Sequence, residues 1–432
     1  MRSLRTVTAA ALAAAVTGSV ASPGAAVAAP PPGACDNPSP ASPVVRELPW
    51  AQRTLGAQAV RRQATGSGVV VAVVDSGVDS DHPQLREPGK VLRGQDFFLV
   101  GDLPGSFDCV SHGTAVASII AARPAEGIGF AGLAPDATIL PVRVSERDAT
   151  GEGTAQAIDP EVLARGIWYA ADHGADVINL SVAGSLDNRF VRDAVRHAQS
   201  EDVVVVAAVG NAQEGTAPGP ATYPAGYDGV LGVGAVDPTG TRLPSSQIGP
   251  QVDIVAPGGG VLAAARAGGH RYHEGTSFAA PFVAATAALV RSARPELSAE
   301  QVVQRILATA TPAPGGLDSQ AYGAGLVDPY RAVTDGLVGA PPSPPPPVER
   351  PATDPAQARA SAWWDGSTSA SRVAAVVTLA AAVLGAAVAF VLLRGRRSRW
   401  QPRRAVLPAR GPVRDELPDE LFVVPPPPAD RL

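Results

Sequence analysis

The sequence predicts an α/β fold in which a parallel sheet carries helices on both faces, followed by one C-terminal transmembrane helix. Three observations carry that expectation. Five segments are apolar and rich in β-branched residues without polar alternation, so each reads as a strand buried on both faces. Helical segments fall among them, the pattern of an open α/β sheet. Val373 to Leu393 holds no charge over 21 residues, and as a helix it covers about 31 Å against a bilayer core of roughly 30 Å.

Along the chain, Arg2 and Arg5 precede an apolar stretch from Ala9 to Val20 and the small residues Ala26, Val27 and Ala28, the three parts of a secretory signal peptide over residues 1–29. That apolar core is too short to span a bilayer stably, so cleavage near Ala28 or Ala29 is expected. Residues 30–67 form an N-terminal extension, and one large domain occupies 68–335. It opens with the strand Val69–Asp75 and the helix His112–Ala122. The strand Ala137–Val144, helix Glu161–His173, strand Asp176–Val182 and helix Asp187–Ser200 follow. The strands Val203–Val209 and Val230–Val236 and the helices Thr276–Ala293 and Ser298–Ala308 complete it. Residues 336–372 contain PPSPPPPVERPATDP, which cannot build a core and extends as a semi-rigid spacer. Beyond the helix at 373–393 come Arg394, Arg396, Arg397, Arg399, Arg403 and Arg404, against only Arg359 and Arg372 close before it. The positive-inside rule therefore makes 394–432 a cytoplasmic tail and puts the large domain on the extracytoplasmic side of the cell membrane.

The 432 residues are 17% charged and 45% hydrophobic, the composition of one large core with appendages. A net charge of −5 offers no basic face for nucleic acid. Cys35 and Cys109 are the only cysteines, and export delivers both to an oxidising compartment. A disulfide between them is the economical reading, with free thiols or intermolecular links as alternatives.

Three strings bear the chemistry. VVAVVDSGVD carries Asp75 at a strand end, SHGTAVASIIAA opens a helix at His112, and GTSFAAPFVAATAALV places Ser277 at the head of another helix. Each alone is ordinary: a strand end, a His-Gly turn, a helix cap. In the order Asp, His, Ser on those elements they match a catalytic triad. A serine hydroxyl becomes a nucleophile when a neutral imidazole takes its proton and a buried carboxylate fixes the imidazole tautomer. Ser277 is then expected to be the nucleophile, His112 to act as base and then acid, and Asp75 to orient it. Sites in open α/β sheets lie beyond the carboxyl ends of the strands, where Asp75 sits and the loop with Asn211 emerges.

Further strings, DSGVDSDHPQL, HGTAVA, GLAPDATILPVRV, DVINLSVAG, VVVVAAVGN, YPAGYDGVLGVGAVD, VDIVAPG and GTSFAAP, make the stretch from Gly68 to Asp335 resemble the subtilisin-like serine proteases (subtilases). The layout of signal segment, short extension, protease domain, Pro-rich linker, membrane helix and basic tail is similar to the mycosins, membrane-anchored subtilases of bacterial type VII (ESX) secretion systems. The resemblance implies a membrane-anchored serine endopeptidase acting on protein or peptide substrates beside a type VII secretion membrane complex. It implies that Asn211 supplies an amide to the oxyanion hole, with the Ser277 N–H as second donor. It also implies that Ser181, Val182 and Ala183 on one strip and Ala208, Val209 and Gly210 on another wall the substrate pocket, the first strip pairing with the peptide as an added strand. Ala183 and Val209 are bulkier than the family's usual Gly and Ala, so a narrower pocket is expected.

Gln84 stands where many subtilases place a calcium-binding Asp, so no tightly held metal and no cofactor are expected. His270 and His273 are expected in loops, His82, His173 and His197 in structural or solvent-facing roles, and Asp79 and Asp81 in shaping a turn. The extension of 38 residues is too short for the separately folding pro-domain of secreted subtilisins. Tied to Cys109, it is stapled beside His112. A second reading makes the chain mainly a structural or stabilising component of the secretion complex with secondary proteolysis. A third, a degradative surface protease, is disfavoured by the membrane helix and the short extension.

Overall fold

A strand that is apolar at every position satisfies both faces only between two helical layers, and this is the arrangement observed. The computed structural model describes residues 30–99, 101–146, 158–316 and 319–336, together with the isolated positions Gly385, Leu392, Arg394 and Arg396. Of two compact units, Met1–Ser343 and Pro344–Leu432, the first holds all the described strands. Its sheet strands are Val70–Asp75 (β1), Gln95–Asp96 (β2), Thr138–Arg143 (β3), Val177–Leu180 (β4), Val204–Ala208 (β5), Leu231–Val236 (β6) and Ile254–Pro257 (β7). They form one parallel sheet in the order β2-β3-β1-β4-β5-β6-β7. Val261–Ala264 (β8) and His270–His273 (β9) make a separate antiparallel pair.

The helices are Trp50–Thr54 (α1), Ala57–Val60 (α2), His112–Ala121 (α3), Pro160–Asp172 (α4), Arg189–Ser200 (α5), Thr276–Ala293 (α6), Ala299–Ala308 (α7) and Pro329–Thr334 (α8). Alternate residues of one strand serve opposite layers. Val71 and Val73 of β1 pack in the core that contains α3 and α6. Ala72 and Val74 pack in the core that contains α4 and α5. The helices that begin at His112 and next to Ser277 thus lie on one side of the sheet, and they pack on each other.

The five expected strands and five expected helices are all present, with ends shifted by a residue or two. β2, β7, the β8–β9 pair and the short helices were not expected, because each is too short for a periodic signal. The expected placing of His270 and His273 in loops is corrected: both are buried residues of β9. The N-terminal extension is part of the fold, since Ala51, Leu55, Ala57 and Val60 share the α6 core. The signal segment, linker, membrane helix and tail expected from the sequence lie outside the described residues, apart from residue 336 and the four isolated positions. Among the described residues, no helix is long and apolar enough to cross a membrane.

Candidate active site

β1 ends at Asp75, and α3 starts at His112, 37 residues later in the chain. His112 Nδ1 lies 2.7 Å from Asp75 Oδ1, with the imidazole 13% exposed and the carboxylate 3%. A carboxylate only accepts, so in the neutral ring the proton is on Nδ1 and the lone pair is on Nε2. Asp75 Oδ1 also accepts from the Ser76 N–H at 2.7 Å. Gly113, the next residue of α3, is where the two elements meet: a Cβ there would come within 2.1 Å of the Gly77 carbonyl oxygen. Only glycine lets the helix approach the Asp75 loop this closely.

Ser277 is the second residue of α6, where backbone N–H groups have no partner within the helix. Pro281 sits four residues on and has no N–H to give the Ser277 carbonyl. That carbonyl instead accepts from Ser181 Oγ at 2.7 Å, while Ser277 Oγ donates to the Ser181 carbonyl at 3.2 Å. Asn179 Nδ2 donates to Ser181 Oγ at 3.0 Å. The Ser277 backbone is therefore tied to the residue that follows β4. Asn211 comes from the loop after β5. Its Oδ1 accepts from the Thr276 N–H at 2.9 Å and from Thr276 Oγ1 at 3.0 Å. With the oxygen so occupied, the Nδ2 donors are the ones left for a ligand. The cap of α6 is Gly275, at φ +132°, where a Cβ would meet Asn211 Nδ2 at 2.9 Å.

These groups share a cleft of about 380 Å³ lined by Asp75, His112, Asn211 and Ser277 with Ser181, Val182, Ala183, Ala208 and Gly210. Val209 is not in the lining. Neighbouring residues of an extended chain face opposite ways. Val209 is accordingly buried in the α4–α5 core, and its carbonyl accepts from Thr222 Oγ1 at 2.6 Å. Of the two bulky departures expected to narrow the pocket, only Ala183 reaches it. No lining residue belongs to 30–67.

A family model described as the subtilase family matches residues 66–325, more than half of the chain. The chain belongs to the subtilase family. It is similar to mycosin-1 of Mycobacterium tuberculosis (strain ATCC 25618 / H37Rv), 35% identical over 71% of this chain and 79% of that protein. Thermitase of Thermoactinomyces vulgaris is 41% identical over 53% of this chain and 77% of that protein. Among solved structures, MycP1 from Mycobacterium smegmatis has a TM-score of 0.60 at 32% identity, covering 72% of this chain and 92% of that one. MycP3, a protease from the type VII (ESX-3) secretion system, has a TM-score of 0.59 at 32% identity, covering 69% and 95%. This subtilase is therefore a subtilisin-like serine protease related to the mycosins.

The subtilase's two cysteines are joined, Cys35 to Cys109, with Cα atoms 5.5 Å apart. The extension beyond the bond runs along the loop that precedes α3. The Ser39 N–H donates to the Cys109 carbonyl at 2.8 Å, and Arg266 donates to the carbonyls of both Ser39 and Asp108 at 2.8 Å. Further on, the Val45 N–H donates to His270 Nδ1 at 3.2 Å. His270 Nε2 then donates to Gln84 Oε1 at 2.7 Å. Burial and the neighbouring His82 pull the His270 pKa down to about 4, and burial lowers that of His82. Gln84 also donates to the carbonyls of Arg123 and Phe130 at 2.8 and 2.9 Å, so its amide is spent within the protein. The Asp79 side chain shapes the turn, its Oδ1 accepting from the Asp81 N–H at 3.1 Å.

Sequence reasoning missed the supports. Thr276 touches Asn211 and Ser76 touches Asp75, while Asp108 and the fully buried Arg143, which donates from Nε to the Ser76 carbonyl at 3.1 Å, hold Ser76 in turn. Thr276 and Ser76 lie next to quoted site residues. Asp108 and Arg143 carry no local signal.

Proposed function

We propose that this subtilase is a serine endopeptidase whose triad is Asp75, His112 and Ser277, with Asn211 and the Ser277 N–H as oxyanion donors. The observation that carries the reading is the 2.7 Å Asp75–His112 contact in the lining of the cleft that Ser277 also lines. Ser277 Oγ attacks the scissile carbonyl carbon and its proton passes to His112 Nε2. The imidazolium, held by Asp75, returns that proton to the leaving amine, and an acyl-enzyme remains. Water repeats the sequence in reverse and releases the acid. The negative oxygen of each tetrahedral intermediate lies toward Asn211 Nδ2 and the N-terminus of α6, where both hydrogen bonds and the helix dipole favour it. A fluorophosphonate, which esterifies an activated serine, labels the wild type and not Ser277→Ala. Equal labelling of both proteins removes the proposal. Ala183 in the cleft favours a small residue before the cleaved bond, so Ala183→Gly raises kcat/KM selectively for large residues there.

The secretion role rests on the relatives and on sequence outside the described residues. The chain works at a type VII secretion complex, held by a single span at 373–393 with the protease outside and 394–432 inside. Protease added to wall-permeabilised intact cells then reaches an epitope in the linker and spares one at Leu432. The opposite pattern overturns the topology. A Ser277→Ala strain that secretes normally, beside a deletion strain that does not, favours the bracing role over proteolysis.

A further inference from the structure

His112 and Asp75 belong to elements that are not neighbours in sequence, and the N-cap residue of α3 does not cap it. Its N-cap, Ser111, has φ +73°, and its hydroxyl accepts from the Arg266 N–H at 3.0 Å instead of capping the helix. The helix's orphan N–H groups are met from elsewhere. Gly113 donates to Ser76 Oγ at 2.9 Å, and Thr114 donates to Asp108 Oδ2 at 2.9 Å. Asp108 is 1% exposed and collects three more donors: Thr114 Oγ1 at 2.6 Å, the Val110 N–H at 3.0 Å and the Ser111 N–H at 3.1 Å. A fifth, Ser76 Oγ, donates to Asp108 Oδ1 at 3.1 Å. That bond settles the direction of the Ser76 hydroxyl. Its proton points at Asp108, so its lone pairs face Gly113.

We propose that Asp108 is a positioning residue for the triad, acting through the Ser76 hydroxyl to hold the head of α3, and so His112, against Asp75. The inference rests on the protease reading above. Ser76 is the joint: its N–H holds Asp75 Oδ1 and its hydroxyl holds the residue after His112. An amide at 108 would present an NH2 to N–H and O–H groups that now all donate, and the joint would loosen. Burial and the negative charge of Asp75 push the Asp108 carboxyl up from its ordinary range, while the donors oppose this. The other charged groups facing the assembly are Asp79, whose N–H donates to Thr114 Oγ1, Arg143 on the Ser76 carbonyl, Arg266 on the Asp108 carbonyl, and Glu274 in the cleft.

The test uses the purified full-length protein, a fluorogenic tetrapeptide anilide with a small residue before the scissile bond, and fluorophosphonate titration to count active serines. Asp108→Asn lowers kcat per titrated serine by about 10- to 100-fold with KM little changed, the cost of a misplaced catalytic group. It also moves the acid limb of the kcat/KM profile down by about half a pH unit or more, because the His112 imidazolium loses part of its support. Ser76→Ala keeps the Asp108 cap on Val110, Ser111 and Thr114 and shows the same two changes in smaller measure; it decides the matter if Asp108→Asn does not fold. Unchanged kcat per titrated serine and an unmoved acid limb in the folded variants overturn the proposal. A wild type that neither labels nor cleaves refutes the protease reading instead.

Discussion

At the residue scale, the site is made of groups whose second hydrogen-bonding partners aim the first. Asn211 is oriented because Thr276 takes its oxygen, and Gly275 leaves room for its nitrogen. Asn211→Ala should cut kcat by about 10²- to 10³-fold with little change in KM, a magnitude established in subtilisin, itself of this family. Gly275→Ala should act through the same donor. Its new methyl would lie 2.9 Å from Asn211 Nδ2 at a φ of +132° that an L-residue rarely adopts. Steady-state kinetics on folded variants measure both. A Gly275→Ala protein with wild-type turnover would mean that the amide does not serve the oxyanion.

At the element scale, the helices divide by how they are capped. α4, α5 and α7 begin at Asp159, Asn188 and Ser298, whose own side chains accept from the first turn. α3 and α6, which carry His112 and Ser277, have no capping side chain at their N-cap residues; Ser76, after β1, accepts from Gly113 of α3, and Asn211, after β5, accepts from Thr276 of α6. Binding the helix ends to the site couples the site's geometry to the fold. β9 is coupled to the extension in a different way, through neutral His270. Its pKa falls from the ordinary 6.5 to about 4 in the fold, so the unfolded chain binds more protons between those values. Stability from this group is complete above pH 6.5 and is lost as the pH falls towards 4, with His82 acting in the same direction. Melting temperature should drop over that window, and His270→Gln should flatten the drop. A melting temperature that rises on acidification from pH 7 to pH 4.5 would contradict the neutral-histidine arrangement.

At the scale of the whole molecule, the disulfide closes a loop with a sequence separation of 74. In the loop-entropy account, closure of this length stabilises the fold by about 4 to 5 kcal/mol as an upper figure. Replacing both cysteines by serine should lower the melting temperature without raising turnover on short peptides, because the cleft lining contains nothing from 30–67. A gain in kcat on losing the bond would show the extension obstructing substrate. Gln84 supports one more expectation. With its amide bound to Arg123, Phe130 and His270, EDTA should barely move the melting temperature. A large fall restored by calcium would show that other ligands compensate.

The sequence by itself determined the layers and named the residues of the proposed chemistry. Runs such as VVAVVD carry their two-sided burial in composition, Asp75 and Asn211 stand in short strings at or after the ends of such runs, and His112 and Ser277 stand in strings that open helices. Tertiary structure alone decided what holds them. Asp108 serves α3 through partners up to 32 residues away, Ser181 meets the carbonyl that Pro281 leaves open 96 residues on, and β2 and β7 exist only because longer strands offer them an edge. The pocket also depended on it, since in the sequence Ala183 and Val209 are each bulkier than the family's usual residue and only the folded chain assigns one to the cleft and the other to the core. Periodicity and helix caps are local and leave a mark on neighbouring residues, whereas a hydrogen bond between distant segments leaves none until the chain has folded.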